Sequence, residues 1–255
     1  HDRITSKITA LHADLAPSAM ADAAKAIMTT DTFAKGAAAT LTIDGKTVNI
    51  AGIAKGSGMI APDMATMLVF LFTDAAIAQG DLQAMVSDLN AKTFNCITVD
   101  SDTSTSDSLI MAATGASAVD VTGNADFAQA LHNVMRDLAH QVVRDGEGAT
   151  KFVEVRVTGA QDDSDAHKVA LAIANSPLLK TAIAGEDANW GRVVTAVGKA
   201  GEPANRDTLS IAFGGIWAAR GGVPIEDYDE APVAKHLKGQ EFDLETGRAS
   251  CRERV

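Results

Sequence analysis

The chain has 255 residues, of which 46% are hydrophobic and 22% are charged, a composition typical of a folded protein rather than a disordered one. Its 33 Asp and Glu residues against 22 Lys and Arg give a net charge of −11, which argues against binding to nucleic acid or to an anionic membrane surface. Two cysteines are too few for a disulfide framework. This low cysteine count makes the reducing cytoplasm the expected compartment. No apolar run approaches the roughly 20 residues of a spanning helix.

The predicted elements alternate between helices and strands. The alanine-rich segment 18–28 predicts a helix. Segment 39–53 predicts a hairpin, because Asp44 and Gly45 suit the two central positions of a type I′ turn. Further along, the pattern predicts strands at 66–72, 97–99, 152–157, 178–183 and 209–213, and helices at 81–92, 126–143, 165–174 and 191–197. We find no repeat or clean linker, and expect a mixed α/β fold, with helices packed on sheets in one compact body.

A glycine-rich loop leads into a strongly apolar strand at residues 55–68, KGSGMIAPDMATML. It is not a phosphate-binding loop of the Walker type, because its lysine precedes the glycines. Thr66 stands at the start of the predicted strand. If the bond between Ala65 and Thr66 is cut, the freed α-amine could act as general base for the Thr66 hydroxyl. A purely structural threonine is the alternative, since β-branched residues favour strands.

The acidic stretch at residues 100–107 has the composition of a calcium loop. It lacks the glycine and the glutamate that an EF-hand requires at its sixth and twelfth positions. A turn capped by hydroxyl and carboxylate side chains is the alternative. The six histidines are scattered and show no zinc-binding spacing. We therefore expect no metal site.

Four separate blocks of the sequence resemble the self-cleaving ornithine acetyltransferase/N-acetylglutamate synthase family of arginine biosynthesis. They are AIMTTDT at 26–32, KGSGMIAPDMATML at 55–68, ITVDSDTST at 97–105 and SPLLKTAIAGEDANWGR at 176–192. The resemblance implies the layered sheet-and-helix fold of the ornithine acetyltransferase and aminopeptidase type. It assigns residues 1–65 to the C-terminal part of an α chain and 66–245 to most of a β chain. Residues 246–255 are rich in arginine and lack apolar periodicity, which indicates a non-native tail on a fragment lacking both native ends; a complete chain with a frayed basic end is the alternative.

The resemblance also implies a reaction. The chain would cleave itself between Ala65 and Thr66, and Thr66 would take acetyl from N-acetylornithine and pass it to glutamate in a ping-pong reaction. Acetyl-CoA is a further substrate of some members, and no cofactor or metal is implied. The two pieces would stay together, usually as an α2β2 assembly. By motif position, Thr29, Lys55, Thr66 and Glu186 match substrate-contacting residues.

Ornithine and glutamate share an α-carboxylate but differ at the side-chain end, so a site that serves both needs charges of both signs. We expect Lys55 to bind a substrate carboxylate and Glu186 an ammonium group, each through a charge-assisted contact. The alternatives are a solvated loop charge for Lys55 and an acidic helix start for Glu186. Two other functions stay open. One is a self-processing aminopeptidase on the related fold, with water as acceptor, and the other is a catalytically silent fragment that serves assembly or folding.

Overall fold

The computed structural model describes residues 1–61 and 67–248, which divide into two compact units. The first unit contains the described residues within 1–59, 63–95 and 103–145, and the second those within 60–62, 96–102 and 146–255. Both units combine a sheet with helices, which confirms the mixed α+β class. The expectation of one compact body was wrong, because the structure divides into two units. That expectation rested on the lack of a linker in the sequence, and the residue ranges of the two units adjoin directly.

The first unit is built on a four-stranded sheet. Its strands are β1 (Lys35–Ile43), β2 (Lys46–Lys55), β3 (Leu68–Thr73) and β4 (Ser108–Ala113). Its helices are α1 (Asp2–Thr5), α2 (Ile8–Ala13), α3 (Met20–Ala26), α4 (Gln79–Ala91) and α5 (Ala125–Arg144), with a 3₁₀ turn at 17–19 before α3. The strand order is β1-β2-β3-β4, antiparallel as far as β3 and parallel between β3 and β4.

The predicted hairpin is confirmed as β1 and β2. Asp44 and Gly45 have φ angles of 50° and 75°, the positive values that a type I′ turn requires at both central positions. The hairpin is longer than expected, because β2 continues to Lys55, which pairs with Leu68 of β3. Lys55 is therefore a strand residue rather than the start of a loop.

Helix α5 covers one face of this sheet, and its apolar spacing is that predicted for residues 126–143. Asn124 begins the helix, since its side chain accepts a hydrogen bond from the backbone N–H of Phe127. The buried face of α5 consists of Phe127, Leu131, Val134, Met135, Leu138, Ala139 and Val142. The helix therefore supplies much of the core of the first unit.

Gly52 of β2 lies where the sheet and α5 approach most closely. A Cβ at this position would lie 2.6 Å from Leu71 Cδ2 and 2.8 Å from Leu138 Cδ1, and both leucines are fully buried. We expect Gly52→Ala to lower the free energy of unfolding by about 1–3 kcal/mol, because the packed core must shift. Urea unfolding measures this. In Gly80→Ala, in α4, the new Cβ would meet nothing within 4 Å, and equal losses in both variants would contradict the packing argument.

The second unit is built on a five-stranded sheet with the order β5-β9-β6-β7-β8. Its strands are β5 (Phe152–Thr158), β6 (Leu209–Phe213), β7 (Ile216–Arg220), β8 (Val223–Pro224) and β9 (Glu241–Arg248). Its helices are α6 (Asp163–Ala174), α7 (Pro177–Ala184), α8 (Trp190–Lys199) and α9 (Glu230–Leu237). β5 pairs parallel with β9, and the other neighbours are antiparallel. Residues from both the sheet and the four helices form its apolar core.

The predicted strand at 178–183 is wrong, because this segment is helix α7. Ser176 caps the helix by accepting a hydrogen bond from the backbone N–H of Leu179, and Pro177 occupies the first turn. Leu179 and Ala182, three residues apart, form its buried face. Ser-Pro was the start signal of a helix, and the apolar run was too short to distinguish a strand from a buried helix.

The predicted strand at 97–99 is also wrong. The segment follows a 3₁₀ turn at Phe94–Cys96 and is not part of either sheet. The backbone N–H of Val99 donates to the Ile60 carbonyl at 2.8 Å, and Thr98 Oγ1 donates to Asn175 Oδ1 at 2.7 Å. β-branched residues alone therefore gave a false indication here, because strand formation depends on a neighbouring strand.

No helix within the described ranges is long and apolar enough to cross a membrane.

Candidate functional site

Thr29 and Lys55, from two separate sequence blocks, meet in the first unit. Lys55 is the last residue of β2 and is only 6% exposed, and its Nζ donates a hydrogen bond to Thr29 Oγ1 at 3.3 Å. Thr29 lies in the connection between α3 and β1 and is exposed. The interpretation of Lys55 as a solvated loop charge is therefore wrong. Among the described residues, no carboxylate forms an ion pair with this ammonium group.

Ala65 and Thr66, the predicted cleavage pair, lie outside the described residues. The next described residue is Met67, whose backbone N–H donates to Asp107 Oδ1 at 2.7 Å. Leu68 pairs with Ser108 in the parallel ladder of β3 and β4, so Met67 and Asp107, which directly precede these two residues, are neighbours.

Asp107, predicted from the sequence only as part of a polar turn, accepts this hydrogen bond beside the start of β3. Burial raises the pKa of Asp107, while the hydrogen bond from Met67 N and the charge of Lys55 act in the opposite direction. A half-buried carboxyl group whose pKa is raised is a candidate for a functional role. The sequence signal for Asp107 was an acidic residue directly before a strand. Its contact with Met67 could not be predicted, because it depends on the pairing of β4 with β3.

The polar stretch at 100–107 forms side-chain-capped turns, as the alternative to a calcium loop predicted. Asp100 Oδ1 accepts hydrogen bonds from the backbone N–H groups of Ile60 and Asp102, at 3.0 and 3.1 Å. Ser104 Oγ accepts one from the N–H of Ser106 at 3.2 Å. Within residues 1–61 and 67–248, no group of three His, Cys, Asp or Glu side chains could hold a metal ion.

A buried ion cluster lies next to the contact between Thr29 and Lys55. It consists of Asp31, Lys35 and Asp145, and we call it the Asp31 cluster. Lys35 Nζ lies 2.7 Å from Asp31 Oδ1 and 2.5 Å from Asp145 Oδ2, and the Lys35 side chain is fully buried. Two carboxylates around one ammonium group leave one net negative charge, so the cluster depends on further hydrogen-bond donors.

Two backbone N–H groups donate hydrogen bonds to Asp31 and help to stabilise its buried negative charge. Its carboxylate accepts hydrogen bonds from the N–H of Gly56 at 2.7 Å and of Thr29 at 3.1 Å. Burial acts to raise the pKa of Asp31, but the hydrogen bonds from Lys35, Gly56 and Thr29 outweigh it and hold the pKa below its ordinary value.

This lowered pKa predicts how stability depends on pH. A carboxyl group whose pKa is lower in the folded state stabilises the fold fully above its unfolded pKa, about 3.9, and loses that contribution as the pH falls through the folded value. We expect Asp31→Asn to melt at a lower temperature than the unsubstituted protein. This difference in melting temperature should be largest near pH 6 and should shrink below about pH 4. Asp44→Asn, in the exposed hairpin turn, controls for the loss of one charge. A difference for Asp31→Asn that stays constant down to about pH 2 would contradict the assignment.

Glu186 lies in the second unit, in the turn between α7 and α8, three residues before Asn189, which caps α8. Its φ is 59°, a left-handed conformation that costs a non-glycine residue about 1 kcal/mol. Its side chain is 40% exposed and accepts a hydrogen bond from Lys151 Nζ at 3.2 Å. Lys151 also donates to the carbonyls of Leu237 and Gly239, at 2.8 and 3.0 Å. Glu186 is therefore held by an anchored lysine on a strained turn.

Of the four predicted substrate-contacting residues, the structure brings Thr29 and Lys55 together. Glu186 belongs to the second unit, and Thr66 lies outside the described residues. Asp31, Lys35 and Asp145 were not singled out from the sequence. The signal for Asp31 was its place inside the block AIMTTDT, but nothing local indicated its partners.

A family profile and two curated relatives that match the chain all name the same protein, ArgJ. A profile of the ArgJ family matches residues 1–252. Two curated relatives are each named "Arginine biosynthesis bifunctional protein ArgJ". The one from Ruegeria pomeroyi is 67% identical over 242 residues, which is 95% of this chain and 59% of the relative. The one from Gluconobacter oxydans is 57% identical over 249 residues, again 95% and 59%. The chain thus spans about three fifths of these relatives' length.

A solved structure is also similar to the chain. It is the crystal structure of the arginine biosynthesis bifunctional protein ArgJ from Bacillus halodurans. The TM-score is 0.69 at 42% identity, and the match covers 72% of this chain and 88% of the other. The similarity therefore extends from sequence to fold.

Proposed function

The chain belongs to the ArgJ family, and on that premise we propose that it carries the nucleophile of an N-acyltransferase of arginine biosynthesis. In this proposal the chain cleaves itself between Ala65 and Thr66. Thr66 then takes an acetyl group from N-acetylornithine and passes it to glutamate. The names of the relatives, which include arginine biosynthesis and two functions in one protein, support the proposal.

The observation that carries the proposal is the contact between the buried Lys55, through its ammonium group, and the hydroxyl group of Thr29, a residue exposed to solvent. An ammonium group has three donors, and a charged group removed from water needs partners for them. Thr29 Oγ1 accepts one hydrogen bond at 3.3 Å. The α-carboxylate of N-acetylornithine or glutamate would supply acceptors for the others and a compensating negative charge. Both substrates carry this group, so one lysine can serve both halves of the reaction.

In the proposed self-cleavage and acetyl transfer, Thr66 is the only residue that forms a covalent bond to the acyl group. In cleavage, Thr66 Oγ attacks the Ala65 carbonyl carbon, and its proton passes to the departing Thr66 nitrogen as the peptide C–N bond breaks, which frees the α-amine and leaves an ester. Water then hydrolyses this ester and releases the Ala65 carboxylate and the Thr66 hydroxyl group. That amine, with an ordinary pKa of about 8, takes the hydroxyl proton as Oγ attacks the acetyl carbonyl. The proton goes to the departing amine of ornithine. Glutamate's amine then attacks the acetyl ester, and Thr66 Oγ regains its proton.

Glu186 is proposed to receive the side-chain ammonium of ornithine. A substrate ammonium would replace the contact of Glu186 with Lys151 Nζ, which keeps its acceptors at Leu237 and Gly239. The left-handed φ of Glu186 supports a functional role, because strained non-glycine residues cluster at functional sites.

The remaining parts of the proposal concern the assembly. We propose that the two cleavage products stay together as α and β chains in an α2β2 assembly, that acetyl-CoA can serve as a second acetyl donor, that no cofactor or metal is needed, and that the enzyme works in the cytoplasm. Gel filtration with light scattering, before and after cleavage, tests the assembly directly.

Initial-rate kinetics test the proposed reaction. The purified protein is mixed with N-acetylornithine and glutamate at varied concentrations, and N-acetylglutamate is quantified by mass spectrometry. Parallel double-reciprocal lines are expected, because ornithine leaves before glutamate reacts. Hydrolysis of short peptides without acetyl transfer would instead favour the aminopeptidase. The absence of both reactions in a cleaved, folded protein would favour the silent fragment.

A further inference from the structure

Asp31 connects the two segments that carry Thr29 and Lys55. Its Oδ2 accepts the backbone N–H of Thr29, and its Oδ1 accepts the backbone N–H of Gly56, the residue directly after Lys55. One carboxylate therefore fixes the main chain at both ends of the 3.3 Å contact between Thr29 Oγ1 and Lys55 Nζ. A neighbouring hydrogen bond between Thr30 Oγ1 and Ser57 Oγ, 2.7 Å long, joins the same two segments.

Gly56 is suited to this connection. Its φ is 153°, a value that glycine adopts readily and residues with a Cβ avoid. In this conformation its N–H lies 2.7 Å from a buried carboxylate oxygen. β2 ends at Lys55, so the hydrogen bond to Asp31 holds the chain just beyond the strand.

Asp145 resembles Asp31 in its burial and in its ion pair with Lys35, but it lacks this connection. Both carboxylates are buried, both accept a hydrogen bond from Lys35 Nζ, and both accept backbone N–H donors. The donors to Asp145 are the backbone N–H and the hydroxyl group of Thr32. Asp145 therefore contributes to the same buried cluster without contacting Thr29 or Gly56, which makes it a matched reference for Asp31.

We propose that Asp31 is a positioning residue of the acyl-transfer site, which sets the spacing between the Thr29 hydroxyl and the Lys55 ammonium group so that both contact one substrate carboxylate. The inference rests on the proposed function. Asp31 does not touch the substrate. It acts through the backbone of Thr29 and through Gly56, while Lys35 supplies the charge that allows its carboxylate to be buried and ionised.

The chemistry of the Asp31→Asn side chain predicts a specific defect. An asparagine has one acceptor oxygen and a donor NH₂ group, so it cannot accept from Lys35, Gly56 and Thr29 together. We expect the KM for N-acetylornithine to rise about tenfold with little change in kcat, because ground-state and transition-state binding of the carboxylate are weakened alike. Asp145→Asn should lose comparable stability but keep its KM. Asp31→Glu, which retains the charge but displaces it by one methylene, should fold and still show the raised KM.

Hydrogen exchange of the Gly56 amide provides a readout that does not depend on activity. The amide should be protected in the unsubstituted protein and in Asp145→Asn, and should exchange faster in Asp31→Asn and Asp31→Glu. Each protein is measured by NMR with its melting temperature, so that local loss of protection is distinguished from global unfolding.

The outcomes separate the inference from the proposed function. A raised KM and faster Gly56 exchange in both Asp31 variants, but not in Asp145→Asn, would support the inference. Equal changes in all three variants would overturn it, because Asp31 would then be structural only. Retained Gly56 protection in the Asp31 variants would also overturn it. An unsubstituted protein that is cleaved and folded, protects Gly56 and transfers no acetyl group would contradict the proposed function, and with it the role of Asp31 in acyl transfer.

Discussion

Thr66→Ala should remain a single uncut chain, whereas the unsubstituted protein should separate into two fragments, the second of which begins at Thr66. The reason is chemical. Only a side chain with a nucleophilic oxygen can attack the preceding carbonyl and convert the peptide bond to an ester, and alanine has none. Intact-mass spectrometry under denaturing conditions measures the number and identity of the fragments. The variant should also lose all acetyl transfer, because it lacks both the nucleophile and the free amine.

Thr66→Ser is the matched control, since it keeps the hydroxyl group and removes one methyl group. It should still be cut, at a reduced rate if the methyl group helps to orient the hydroxyl. Cleavage of Thr66→Ala at the same bond would contradict autoproteolysis by Thr66 and would point to a contaminating protease. An unsubstituted protein that stays uncut would contradict the assignment of Thr66 as the processing nucleophile of this chain.

Lys55→Met should raise the KM for both N-acetylornithine and glutamate by roughly 10- to 100-fold, while self-cleavage proceeds. Methionine is close to lysine in length and fits a buried position, so the substitution removes the charge with little change in packing. A hydrogen bond to a charged group contributes about 1.5–3 kcal/mol, which corresponds to that range of KM. Steady-state kinetics with each substrate varied in turn gives the two values.

Lys46→Met is the control for Lys55→Met. Lys46 is the first residue of the same strand and is exposed, so its substitution removes the same charge far from Thr29. Its KM values should equal those of the unsubstituted protein. A loss of self-cleavage in Lys55→Met with unchanged KM values would show that Lys55 serves processing rather than substrate binding. Equal KM changes in both variants would indicate a general charge effect.

The parts of the fold that depend on local signals could be predicted from the sequence. Asp44 and Gly45 determine the hairpin turn, because both adopt positive φ. The apolar spacing of α5 identified its buried face before any partner was known. The strand prediction for 178–183 was wrong, because its apolar run is compatible with either a strand or a short buried helix. The preceding Ser-Pro pair, which favours a helix start, was not taken into account.

The candidate site was predicted less completely, since its geometry comes from distant parts of the chain. The motif identified Lys55, but its burial depends on the extension of β2 and on the pairing of β2 with β3. Lys35 and Asp145 are 110 residues apart in sequence, and no local pattern indicates that they form an ion pair. Asp107 likewise acquires its neighbour Met67 only through the parallel pairing of β3 with β4. Residue types indicated the chemistry, while long-range strand and helix packing determined which charges meet.

The most direct test of the central claim is to look for the acetyl group on Thr66. The cleaved protein is incubated with N-acetylornithine labelled with ¹³C in the acetyl group, quenched in acid and digested, and the peptide that begins at Thr66 is analysed by tandem mass spectrometry. Labelled acetyl is expected on the Thr66 hydroxyl group and should be lost when glutamate is added, with labelled N-acetylglutamate formed in equal amount. Formation of labelled N-acetylglutamate without any label on Thr66 would contradict the covalent mechanism, and label retained after the addition of glutamate would contradict the transfer.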